Sequence, residues 1–184
     1  MYRLRRQLCI WTPGCRFVIY YLKFFAGEQA PLCCKSVIWK GEGKTMKMIK
    51  GMDISTLLEE EACGAKYYDF GEEADLLDIL KRYGVNSVRL RLWNDPYDEQ
   101  GNPYGAGTND LDKTICMAKR AKASGMGFLL DYHYSDFWAD PGKQIVPKAW
   151  QGYGPEQLEE VVYEYTVSTM TALREAGVAP TMVQ

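Results

Sequence analysis

Asp131-Tyr132-His133-Tyr134-Ser135-Asp136-Phe137-Trp138-Ala139-Asp140-Pro141 follows directly on the apolar run Met126-Gly127-Phe128-Leu129-Leu130, which begins after Gly125. A short apolar run just beyond a helix-ending glycine reads as a buried parallel strand. At its end the aliphatic side chains give way, within eleven residues, to three carboxylates, the chain's only histidine, four aromatic rings and a hydroxyl. Because α/β proteins hold ligands beyond the carboxyl ends of their strands, this strand end is the candidate site on which the other polar stretches should converge.

The same pattern repeats on either side. Met48-Ile49-Lys50-Gly51-Met52-Asp53-Ile54-Ser55 reads as a first strand, and residues 71–83 place Leu76, Leu77, Ile79, Leu80 and Tyr83 on one helical face before Gly84. Residues 85–93 form a second strand, followed by a long loop and a helix from the N-cap Asp110 to Ser124. Pro155 suits the first turn of a further helix that Gly177 ends, and residues 178–184 begin a fourth strand.

Alternating strands and helices permit a doubly wound sheet or a closed barrel. The barrel is favoured because each strand carries its polar groups at the same end and no glycine-rich dinucleotide turn follows the first strand. The fold class predicted is therefore α/β, the N-terminal half of a (β/α)8 TIM barrel, strands one to four, truncated. Half a barrel leaves apolar edges on its first and fourth strands, so the chain alone is expected to be unstable or to aggregate.

Lys and Arg number 22 against 24 Asp and Glu, a formal charge of -2 that gives no electrostatic case for nucleic acid or a membrane surface. Six cysteines without a C-x-x-C pair argue against a zinc site or a disulfide framework, and no cofactor is implied. Residues 1–45 do not match the rest of the chain. Their apolar part is broken by Pro13, Arg16 and Lys23, so neither an export signal nor a membrane span is expected there. Lys40-Gly41-Glu42-Gly43-Lys44-Thr45 permits purine-rich codons of the ribosome-binding kind, so translation is expected to start naturally at Met46 or Met48, with a partial barrel from 46 to 184. A native N-terminal peptide upstream of Met46 would refute this. That start implies a cytoplasmic product; an upstream start leaves secretion as the alternative.

Arg89 and Arg91 alternate with Val88, Leu90 and Leu92 and so share one face of the second strand, inward in a barrel, with Asp53 at the neighbouring strand end. The pair either fixes the strand ends or also donates to ligand oxygens. His133 either donates to a substrate hydroxyl or satisfies a backbone carbonyl. Asp131, Asp136 and Asp140 are the only oxygen ligands near it, too few for a metal without a second histidine, and Asp136 and Asp140 also suit loop caps. Trp93, Tyr97, Tyr104, Phe137, Trp138, Trp150 and Tyr153 lie on the loops after strands two and three. Rings there suit the apolar faces of pyranose units, and about half are expected to touch ligand.

Gly51-Met52-Asp53-Ile54-Ser55, residues 83–96 ending Arg89-Leu90-Arg91-Leu92-Trp93-Asn94-Asp95-Pro96, the stretch from Asp131 to Pro141 and Pro147-Lys148-Ala149-Trp150 together resemble glycoside hydrolase family 53, the endo-β-1,4-galactanases, from about Met48 to Gln184. The resemblance implies a (β/α)8 barrel and retaining hydrolysis of the β-1,4-galactan of type I arabinogalactan, which needs an acid/base and a nucleophile about 5 to 5.5 Å apart. In the family these are glutamates at the ends of strands four and seven, the first in a Gln-x-Gly-Asn-Glu pattern whose Gln corresponds to Gln184, so the catalytic pair is expected beyond the residues given and the chain to be inactive alone. Asp53, Arg89, Arg91, Trp93, Asp131, His133, Tyr134, Ser135, Asp136, Trp138 and Trp150 are implied as binding or supporting residues. The alternatives from other classes are a non-catalytic carbohydrate-binding fragment and a barrel for phosphorylated metabolites. The phosphate reading is disfavoured, since such barrels use loops after strands seven and eight.

Overall fold

The computed structural model describes residues 48–184 and, before them, only the backbone of two short strands, Cys9–Thr12 and Cys15–Val18, paired antiparallel. Most of the expected leader lies outside the described residues. Four parallel strands form one sheet: β1 (Gly51–Asp53), β2 (Ser87–Leu92), β3 (Gly127–Tyr132) and β4 (Met182–Val183). Their spatial order is their order in the chain. A doubly wound sheet would reverse at a switch point, so the sequential order sides with the barrel.

Four helices cover one face: α1 (Leu57–Ala62), α2 (Leu76–Arg82), α3 (Leu111–Ala123) and α4 (Pro155–Glu175). The outward side chains Val88, Leu90, Leu92, Phe128, Leu130 and Tyr132 pack against Leu77 and Leu80 of α2, Met117, Ala118 and Ala121 of α3 and Leu173 of α4. Each fully buried Val, Leu or Phe contributes about 1.5–3 kcal/mol.

One device feeds three of the strands. After α2, α3 and α4 a glycine with positive φ follows the helix, Gly84, Gly125 and Gly177. The next residue then donates back across the last turn, Val85 to Leu80, Met126 to Ala121 and Val178 to Leu173. This is the Schellman termination, which satisfies an orphan carbonyl and turns the chain toward the sheet. The predicted glycine stops hold for this reason.

Two expectations are corrected. The first strand is confined to Gly51–Asp53, with Met48 and Ile49 exposed before it. The helix over 71–83 begins only at Leu76, because the side chain of Asp75 caps it by accepting from the Leu77 N–H at 2.7 Å, while Tyr68–Asp69 and Glu72–Glu73 pair as a small hairpin. Asp69 ties this hairpin to α2 through Arg82 and Tyr83, at 2.7 and 2.8 Å.

Candidate functional site

The parallel register sets Asp53 opposite Arg89, and Arg91 opposite Asp131, on the face away from the helices. Arg89 Nη1 and Arg91 Nη2 each donate to Asp53 Oδ2 at 2.8 Å. Arg89 Nη2 donates to Asp131 Oδ2, which also faces His133 Nε2 at 3.0 Å. Ser55 completes the knot: its N–H and hydroxyl donate to Asp53 Oδ1 at 3.0 and 2.7 Å, and its Oγ accepts from the Arg91 N–H at 3.0 Å. Two guanidiniums and two carboxylates make the cluster neutral. Burial pushes the Asp53 pKa up, but Arg91, the Ser55 donors and Arg89 outweigh it and hold the carboxyl below its ordinary value.

The tautomer of His133 follows from its partners. Its Nδ1 accepts from Trp93 Nε1 at 3.0 Å and from the Ala139 N–H at 3.1 Å, so that nitrogen carries no proton. Nε2 then carries it and donates to Asp131. The ring nitrogens therefore meet no backbone carbonyl; the ring bridges Trp93 and the loop after β3 to the charge cluster.

The rings divide by position. Trp138 lies over the Arg91 guanidinium, 4.2 Å from its carbon to the ring centroid, and edge-on to His133, with part of its surface open. Tyr104 and Tyr153 are exposed, and Tyr104 meets Phe137 edge-on. Trp93 is wholly buried beneath Phe137. Trp150 is buried against Tyr165 of α4, so it supports the loop. Tyr134 also departs from the mouth: it stacks on Tyr132 and its hydroxyl pairs with Thr166 of α4 at 2.8 Å, because residues 132 and 134 share the outward side. Ser135 is buried, and its carbonyl accepts from the Asn94 N–H at 2.8 Å.

Asp136 stitches two loops, accepting from the Asp95 N–H at 3.0 Å and the Lys148 N–H at 2.7 Å. Lys148 was missed as a functional residue; its ammonium pairs with Asp95 at 2.8 Å and donates to the Tyr97 carbonyl, so it clasps the loop after β2 to that after β3. Ser55 was missed too, since a lone serine after a strand carries no sequence signal of such a knot. Asp140 closes its own turn onto the Gly142 N–H at 2.7 Å. Among the described residues no group of three or more His, Cys, Asp or Glu is placed to hold a metal, and Cys63 and Cys116 are free and exposed.

Four consecutive residues of the loop after β2, Gly105, Ala106, Gly107 and Thr108, have positive φ, and the Thr108 N–H returns to the Gly105 carbonyl at 3.2 Å. This left-handed turn brings the Gly107 N–H onto the Glu59 carboxylate of α1. A Cβ at Gly107 would stand 2.6 Å from the Ser55 carbonyl. Gly107→Ala is therefore expected to destabilise by about 2–4 kcal/mol, from the strain of φ +100 plus overlap with backbone that cannot swing away. An unchanged denaturant midpoint would count against this packing.

Four sequential parallel strands with covering helices, and a polar and aromatic-walled mouth at their carboxyl ends, define an α/β fragment of a (β/α)8 barrel. Residues 49–184 match the family described as glycosyl hydrolase family 53, and the chain belongs to that family. It is 47% identical over 146 residues to the endo-beta-1,4-galactanase of Bacillus subtilis strain 168, covering 79% of this chain and 34% of that one. It is 39% identical to the arabinogalactan endo-beta-1,4-galactanase of Cellvibrio japonicus, covering 73% and 34%. Among solved structures it superposes on the GH53 catalytic domain of Ignisphaera aggregans with TM-score 0.73 at 48% identity, covering 82% of this chain and 42% of that one. The chain spans about a third of the length of the curated relatives it matches.

Proposed function

We propose that the chain supplies the substrate-holding strand ends of an endo-β-1,4-galactanase acting with retention on the β-1,4-galactan of type I arabinogalactan. The observation that carries this reading is the Asp53–Arg89–Asp131–His133 chain, with the open face of Trp138 beside it on Arg91. A flat apolar ring next to fixed, charge-assisted donors suits a pyranose, whose face is apolar and whose rim needs hydrogen bonds. The names of the relatives supply the linkage and the polymer.

The mouth also bears on what the 184-residue chain does alone. Asp53 is held by two arginines and Ser55, Asp131 by Arg89 and His133, and Asp136 by two backbone donors. None of them is a free acid or nucleophile, and the catalytic pair must do both jobs. The chain is thus expected to bind galacto-oligosaccharides without cleaving them, which also favours the carbohydrate-binding reading over turnover. Titration calorimetry with galactotetraose, alongside a reducing-sugar assay on galactan, tests both parts. Released galacto-oligosaccharides would overturn the inactivity, and absence of any binding heat would overturn the binding role. The same reading includes translation from Met46 or Met48 and a cytoplasmic product that meets imported oligosaccharides, with secretion as the alternative for an upstream start.

A further inference from the structure

The loops after β2 and β3 are joined by a closed circuit of contacts. The Asp136 carboxylate links the Asp95 N–H to the Lys148 N–H, and the Lys148 ammonium returns to the Asp95 carboxylate at 2.8 Å. The same ammonium donates to the carbonyls of Asp95, at 3.3 Å, and Tyr97. It also stands 5.6 Å from the centroid of the Tyr104 ring. Its footing is firm, because Lys148 opens the one-turn helix Lys148–Trp150 between the wholly buried Pro147 and the buried Trp150.

The circuit holds rings in place. The loop after β2 folds back on itself where Tyr97 bridges Pro103, and the Tyr104 N–H donates to the Pro96 carbonyl at 3.0 Å. That fold carries Tyr104 to the edge of Phe137, which follows Asp136 in the chain and precedes Trp138. The side chains of Lys148 and Asp95 are 39% and 47% exposed, and an ion pair so open to water adds little to global stability. With three oxygen acceptors on one ammonium, what the circuit fixes is the relative placement of two loops.

We propose that Lys148 is a positioning residue for galactan binding: its ammonium sets the loop after β2 against the loop after β3, so that Tyr104, Phe137 and Trp138 stand as one preformed wall beside Arg91. This role rests on the galactan reading and adds to it the residue that holds the wall. A wall left to move in the free protein has to be ordered when sugar arrives, and that ordering lowers affinity.

In calorimetric titrations of the 184-residue chain, Lys148→Met is expected to bind galactotetraose about tenfold more weakly than wild type, the effect of ordering one or two side chains. Its thermal midpoint should stay within a few degrees of wild type, and Lys148→Arg, which keeps the charge and several donors, should recover most of the affinity. Without ligand, 15N relaxation at the Tyr104 and Phe137 amides should give order parameters of about 0.85 in wild type and below about 0.6 in Lys148→Met. Unchanged affinity, unchanged loop order, or a loss that Lys148→Arg does not restore would each overturn the role. Should Lys148→Met fail to fold, Asp95→Asn, which keeps the shape without the charge, takes its place with the same expectation. Loss of folding in both would assign the clasp to the fold and overturn the role as well. If wild type gives no binding heat, the galactan reading is what fails, and the two loop amides alone decide the clasp.

Discussion

Asp53→Ala is expected to lower stability by about 3–5 kcal/mol, the effect of removing one partner from a buried ion pair and leaving the other uncompensated. The side chain of Asp53 is 15% exposed and that of Arg91 10%, so water cannot replace the lost carboxylate. Against the roughly 5–15 kcal/mol that holds a domain together, this is a large fraction. The same residue gives a pH dependence of defined sign. A carboxyl whose folded pKa lies below its unfolded value binds fewer protons when folded, so its contribution is complete above the unfolded value near 3.9 and is lost as pH falls through the lower, folded one. Urea midpoints of the wild type should therefore decline below about pH 4, and Asp53→Asn should flatten that decline. Equal acid slopes in the two proteins would show that the cluster does not form in solution.

Trp93→Ala should cost a similar amount, about 3–5 kcal/mol, since the ring is wholly buried and its removal leaves a cavity under Phe137. Trp93→Phe separates packing from the hydrogen bond. It keeps most of the volume but removes the donor to His133 Nδ1, a loss of about 1 kcal/mol. Because the chain has one histidine, its ring nitrogens are read without ambiguity by 15N correlation spectra. In the wild type Nε2 should carry the proton and Nδ1 none; Trp93→Phe should weaken that bias. A wild-type ring protonated at Nδ1 would dismantle the relay from Trp93 to Asp131.

Much of this arrangement was legible in the sequence because strand periodicity is strict. Arg89 and Arg91 had to share a face, and the polar residues after Leu92 and Leu130 had to fall at one end of the sheet. The three helix-ending glycines were legible for a similar reason, as only a glycine enters that conformation without strain. Short elements were not. α1 is six residues with three consecutive glutamates, too brief for a helical period, and the hairpin from Tyr68 to Glu73 hid inside an apparent helix start. Tyr134 entered only through the family resemblance, as a binding or supporting residue, and the alternation that continues past the strand sends it to α4. Trp150 stood as a binding or supporting residue, and composition alone does not say which way it turns, since a tryptophan on a loop can face inward onto a helix, as here onto Tyr165, as readily as outward. The partners of His133 depended on Trp93, forty residues away, and no local pattern encodes them.

The identity between strand order in space and strand order in the chain also governs how the protein is made. Asp53 pairs with Arg89, Arg89 with Leu129, and Leu129 with Met182, so every strand docks on its immediate predecessor. On a ribosome elongating at about 5–20 residues per second, each strand waits only a few seconds for its neighbour to emerge. Assembly can keep step with synthesis, a growing sheet leaving the exit tunnel with one unsatisfied margin always ready for the next arrival.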